Sequence, residues 1–79
     1  MKVEEFLDLI SQTLGMPPKS LTLDDTQQTV PQWDSMAHLM IIATVQRDLG
    51  VAPNDASLHN FTSIRQLVER LKARKALED

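Results

Sequence analysis

Apolar residues recur at intervals of three and four in three stretches of the chain, the spacing that gathers them on one face of an α-helix. In the first, Val3, Phe6, Leu7, Ile10 and Leu14 share a face, and Glu4, Glu5 and Asp8 occupy the other. Gly15 is placed to stop this helix, and Pro17-Pro18 cannot continue it. In the second, Leu39, Ile42, Val45 and Leu49 form the expected core stripe, widened by Ile41, with Gly50 at the end and Pro53 beyond. In the third, Ile64, Leu67, Val68 and Leu71 repeat. Ser63 and Gln66 have capping-box spacing at its start, with Thr62 as the competing N-cap. Between the last two, "NDASLHNF" leaves room for one short helix around Leu58.

The connection from Gly15 to Asp34 shows no strand alternation. It exceeds the roughly 12–15 residues that compact domains usually leave without secondary structure. Leu21, Leu23 and Val30 are the residues able to pin it onto the helices. The expected architecture is all-α: a small helical bundle of three main helices and one short helix, with a long first loop. A single free-standing domain over residues 1–79 is expected.

Size narrows the function. A chain of 79 residues buries only about 60–65% of its unfolded surface, which leaves little apolar material for a deep catalytic cleft. There is no cysteine, so disulfides and Cys-based metal sites are excluded and any thiol must come from outside. The net charge of −3 disfavours nucleic acid, which selects a basic face. Arg70, Lys72, Arg74 and Lys75 cluster late, where cations complement the carboxyl end of a helix. The amino terminus, "MKVEEFLDLI", is too acidic and interrupted for a signal peptide. No run approaches the roughly 18 apolar residues of a membrane span. A soluble, cytoplasmic monomer is expected.

The stretch "QWDSMAHLMII" holds the candidate chemistry. It sets the only tryptophan and an acid before Ser35, at the first turn of the second helix. Ser and Asp begin helices in any protein, so capping is the plain reading of this pair. The arrangement nevertheless extends further. A first helix, a long ordered loop, Asp-Ser-Met opening a second helix, a short third and a capped fourth together resemble an acyl carrier protein. The likeness covers essentially the whole chain and is most specific at "WDSM" (Trp33 to Met36), followed by "HLMIIATVQRDLGV" and later "FTSIRQLVERL".

The resemblance implies that Ser35 carries 4′-phosphopantetheine through a phosphodiester, donated from coenzyme A by a phosphopantetheinyl transferase. Asp34 matches the acid that the transferase reads, and Met36 replaces the usual leucine, a near-isosteric exchange. The arm supplies the missing thiol, holds acyl groups as thioesters and delivers them to an acyl-loading enzyme and a synthase or acyltransferase. The partly positive start of a helix suits the phosphate. Burying an alkyl chain is worth about 0.8 kcal/mol per methylene. Leu39, Ile42, Val45, Leu58, Phe61, Ile64 and Leu67 are the candidates for lining an acyl cavity.

Other readings have weaker support. Asp34, Ser35 and His38 lack an oxyanion device or Gly-x-Ser-x-Gly elbow, so esterase chemistry is disfavoured. His38 and His59 have no metal-ligand spacing and are expected to be structural. Trp33 is expected to anchor the loop, with partner docking as its alternative role. A peptidyl carrier is an alternative within the family, although such carriers tend to place glycines where this chain has Gln32-Trp33-Asp34. A cofactor-free helical interaction module is the alternative outside it.

The outward face of the second helix departs from the family pattern. Met36, Met40, Ala43 and Arg47 project together, and Asp48 is the only acid in "MAHLMIIATVQRD". Fatty-acid-synthesis carriers typically set acids there to meet basic partner surfaces. Methionine offers adaptable contact area instead, and the missing acids remove electrostatic steering. The departure suggests a specialised carrier, serving polyketide, lipopeptide, lipid or glycan modification, over a housekeeping one.

Overall fold

A computed structural model describes residues 1–51 and 60–78. It contains α1 (Val3–Thr13), α2 (Ser35–Leu49) and α3 (Ile64–Ala73), and among the described residues the only β-pairing is two isolated bridges. The protein is an all-α helical bundle. The expected short helix around Leu58, together with Pro53 and His59, lies outside the described residues.

The helix ends follow from local chemistry. Beyond α1, Gly15 adopts φ +72°, and its N–H donates to Gln12 O at 3.0 Å while Met16 N–H donates to Ser11 O at 2.8 Å. That paired closure satisfies carbonyls the helix would leave orphaned. The end of α3 repeats the pattern, with Lys75 N–H donating to Lys72 O and Ala76 N–H to Leu71 O. There the left-handed residue is Lys75, at φ 59°, an unusual choice because a side chain disfavours that region.

The core gathers Phe6, Ile10 and Leu14 from α1, Ile41, Ile42 and Val45 from α2, and Ile64, Leu67 and Leu71 from α3. Leu39, expected in the α2 stripe, is 65% exposed. Helix α2 carries apolar residues nearly all round, so more than one stripe fits its sequence. The face that turns inward is centred on Ile41, which is fully buried, and this rotates Leu39 outward.

The long loop is built into the fold. Leu21 and Val30 are buried in the core, and Leu23 packs against it. The Asp25 carboxylate accepts from Thr22 N–H at 2.7 Å and from the Thr29 hydroxyl at 2.9 Å. The loop also closes the start of α3. Ile64 N–H donates to Asp25 O and Arg65 N–H to Leu23 O, both at 3.0 Å. Ser63 Oγ accepts from Gln66 N–H at 3.2 Å. Ser63 is therefore the N-cap, and the Gln66 side chain reaches Thr62 instead of completing the reciprocal box. All the first-turn donors of α3 are consumed.

The chain ends meet as well. Val3 N–H donates to Glu78 O, and Glu78 N–H to Met1 O. Leu77 is buried beside them.

Candidate functional site

The start of α2 is finished differently from that of α3. Asp34 is its N-cap, and Asp34 Oδ1 accepts from Ala37 N–H at 2.8 Å. His38 N–H begins the helical ladder by donating to Asp34 O at 2.9 Å. Capping is thus carried by Asp34, and Ser35, the first helical residue, has no part in it. Ser35 is exposed. Its hydroxyl and the N–H groups of Ser35 and Met36 make no hydrogen bond within the described residues. An exposed nucleophilic oxygen therefore sits beside two unsatisfied donors at the positive end of a helix, where a phosphate group is stabilised.

Behind Ser35 stands a stack of three rings. The indole of Trp33 and the imidazole of His38 lie 6.1 Å apart and nearly parallel, and Phe61 packs against His38 at 4.5 Å. Trp33 Nε1–H donates to His38 Nδ1 at 3.2 Å. Trp33 is only 2% exposed. The loop-anchor expectation describes where it sits, and its alternative role in docking is corrected, because a buried ring offers a partner no surface. The backbone enforces this position, since Trp33 N–H donates to Val30 O and turns the indole inward ahead of the helix.

An open groove of about 490 Å³ runs past Ser35, with His38, Leu39 and Phe61 along it. Its far side is formed by Gln27 from the long loop and by Asn60 and Thr62 ahead of α3. These last three were not anticipated. They lie far from Ser35 in sequence, and no local pattern marks them.

The expected cavity residues divide. Ile42, Val45, Phe61, Ile64 and Leu67 come together in the core, but only Phe61 among them borders the groove. Leu39 borders it from the exposed side, which corrects its placement in an interior cavity. Leu58 lies outside the described residues.

Met36 (72% exposed) and Met40 (48%) stand on the outer face of α2 with Ala43 and Arg47, which are also exposed. Arg47 pairs with Asp48 at 3.1 Å. That carboxylate's hydrogen bond and charge raise the guanidinium pKa, so Arg47 stays cationic throughout the working range. The pairing also occupies the one acid of this helix. No helix among the described residues is long and apolar enough to cross a membrane.

No curated protein and no solved structure matches the chain. A family model described as a phosphopantetheine attachment site matches residues 4–71. That span contains all of α2, the long loop and the capped start of α3, and the cofactor of this family is covalently attached 4′-phosphopantetheine. The uncapped donors and exposed hydroxyl at the start of α2 suit such an attachment. The chain therefore belongs to the phosphopantetheine-binding carrier proteins, the family that includes acyl carrier proteins.

Proposed function

We propose that Ser35 is the attachment residue and that the protein is a non-enzymatic acyl carrier of a specialised biosynthetic pathway. The observation that carries this reading is the division of labour at the start of α2. Asp34 caps the helix, leaving the Ser35 hydroxyl exposed and, among the described residues, unbonded beside two backbone donors that are likewise without a partner. In the attachment step Ser35 Oγ bonds to the phosphorus next to the pantetheine of coenzyme A. The pyrophosphate P–O bond breaks, adenosine 3′,5′-bisphosphate leaves with the electron pair, and the serine proton passes to the transferase. The arm supplies a thiol that this cysteine-free chain lacks. The chain's own residues hold the phosphodiester at the helix start, and Asp34 presents a carboxylate to the transferase.

The outer face of α2 supports a specialised role. Its apolar side chains Met36 and Met40 are exposed, and Asp48 is engaged by Arg47. Partners would dock through adaptable apolar contact, with little steering by charge. An acyl cargo is preferred to an aminoacyl one because Trp33 stands where peptidyl carriers tend to have glycine.

Incubation with coenzyme A and a broad-specificity phosphopantetheinyl transferase tests the proposal by intact mass. The wild type should gain one arm and Ser35→Ala none. A wild type that stays unmodified would support a cofactor-free interaction module instead.

A further inference from the structure

The groove beside Ser35 does not end there. A second groove, of about 340 Å³, is lined by Thr26, Gln27, Gln28 and Thr62, and it shares Gln27 and Thr62 with the first. The two form one track between the long loop and the start of α3. Its chemistry is graded. Beside Ser35 the first groove holds the rings of His38 and Phe61 and the side chain of Leu39 together with Gln27, Asn60 and Thr62, and the second is lined by side-chain amides and hydroxyls alone. No Asp, Glu, Lys or Arg borders either groove among the described residues. The amides of Gln27 and Asn60 have no hydrogen-bond partner among the described residues, so both keep donors and acceptors for a ligand.

We infer that this track is the resting place of the phosphopantetheine arm. The inference rests on the reading of Ser35 as the attachment residue. The arm is graded in the same sense as the track. One methylene from its phosphate is a carbon bearing two methyl groups, then a hydroxyl and two amides, all uncharged. The methyls match Leu39, which the packing of α2 on its Ile41 face leaves exposed at the groove, and the amides match Gln27, Asn60 and Thr62. The arm then lies over the surface, and its thiol points along the loop, away from the core that Ile42, Val45, Ile64 and Leu67 fill. A surface track without cations suits short or oxygen-bearing uncharged acyl groups better than long alkyl chains or carboxylated ones.

The test compares apo and holo protein by NMR with isotope-labelled arm. Expected are nuclear Overhauser contacts from the arm methyls to Leu39. The side-chain amide signals of Gln27 and Asn60 should shift, and in Gln27→Ala/Asn60→Ala loaded with the arm, as checked by intact mass, the contacts from the arm methyls to Leu39 should weaken. Shifts confined to residues 34–38, or contacts from the arm to Val45 and Ile64 methyls, would overturn the inference while leaving the carrier reading intact. A wild type that gains no arm mass would overturn the carrier reading, and this inference with it.

Discussion

Trp33 Nε1–H donates to His38 Nδ1 across 3.2 Å, within rings that stack at an 11° interplanar angle. Because Nδ1 accepts, the neutral imidazole carries its proton on Nε2. Nitrogen-15 spectra of His38 should show that tautomer. Trp33→Phe keeps the stacking but leaves Nδ1 without its donor, so it should destabilise the fold by about 1–3 kcal/mol, read by urea denaturation. An unchanged midpoint would show that the hydrogen bond contributes nothing.

Asp34 combines two roles that substitution separates. Asp34→Ala removes the acceptor for Ala37 N–H and should cost about 1 kcal/mol. Asp34→Asn keeps a good cap and removes the charge, so stability should stay within a few tenths of a kcal/mol. Arm transfer should slow in both variants if the transferase reads the carboxylate. Normal transfer to Asp34→Asn, measured by intact mass against time, would reduce Asp34 to a cap.

Much of this was legible in the sequence because it depends on near neighbours. The spacing of Phe6, Ile10 and Leu14, the stop at Gly15 and the Ser63 N-cap are matters of one helical turn. The pinning of the loop by Leu21 and Val30 was legible too, since apolar residues in a polar stretch have few other destinations. The orientation of α2 was not. With Met36, Leu39, Met40, Ile41, Ile42 and Val45 in one helix, apolar groups point in most directions, and only packing against its neighbours selects the Ile41 face. The closure of α3 by carbonyls of Leu23 and Asp25 leaves no sequence trace, because every residue carries a carbonyl. The groove side chains Gln27, Asn60 and Thr62 meet Ser35 only through the fold.

The apolar face of α2 makes a prediction about salt. Surface charge interactions fade beyond a Debye length of about 10 Å at 0.1 M salt, so charge-steered docking weakens as salt rises. On the proposed reading, binding of the protein to a synthase or acyltransferase that accepts it should change by less than about threefold between low and high salt, measured by titration calorimetry. Met40→Glu should weaken it by at least about tenfold, equivalent to 1.4 kcal/mol. A steep salt dependence would return charge to the leading role.

The clasp between the chain ends is structural. Leu77 is 5% exposed, and Glu78 bonds to both Met1 and Val3. Leu77→Ala should cost about 2–3 kcal/mol, the lower part of the range for buried leucine. Thermal denaturation checks this. Arm transfer to the folded variant should be unchanged, since Leu77 lies outside the site.

The most direct measurement is the location of the added group. Holo protein made with coenzyme A and a transferase, digested and fragmented in a mass spectrometer, should release the pantetheine fragment from the peptide bearing residue 35 alone. The same treatment of a Ser35→Ala chain that folds normally should release none. An arm recovered on another hydroxyl, or on no peptide of the folded wild type, would contradict the account.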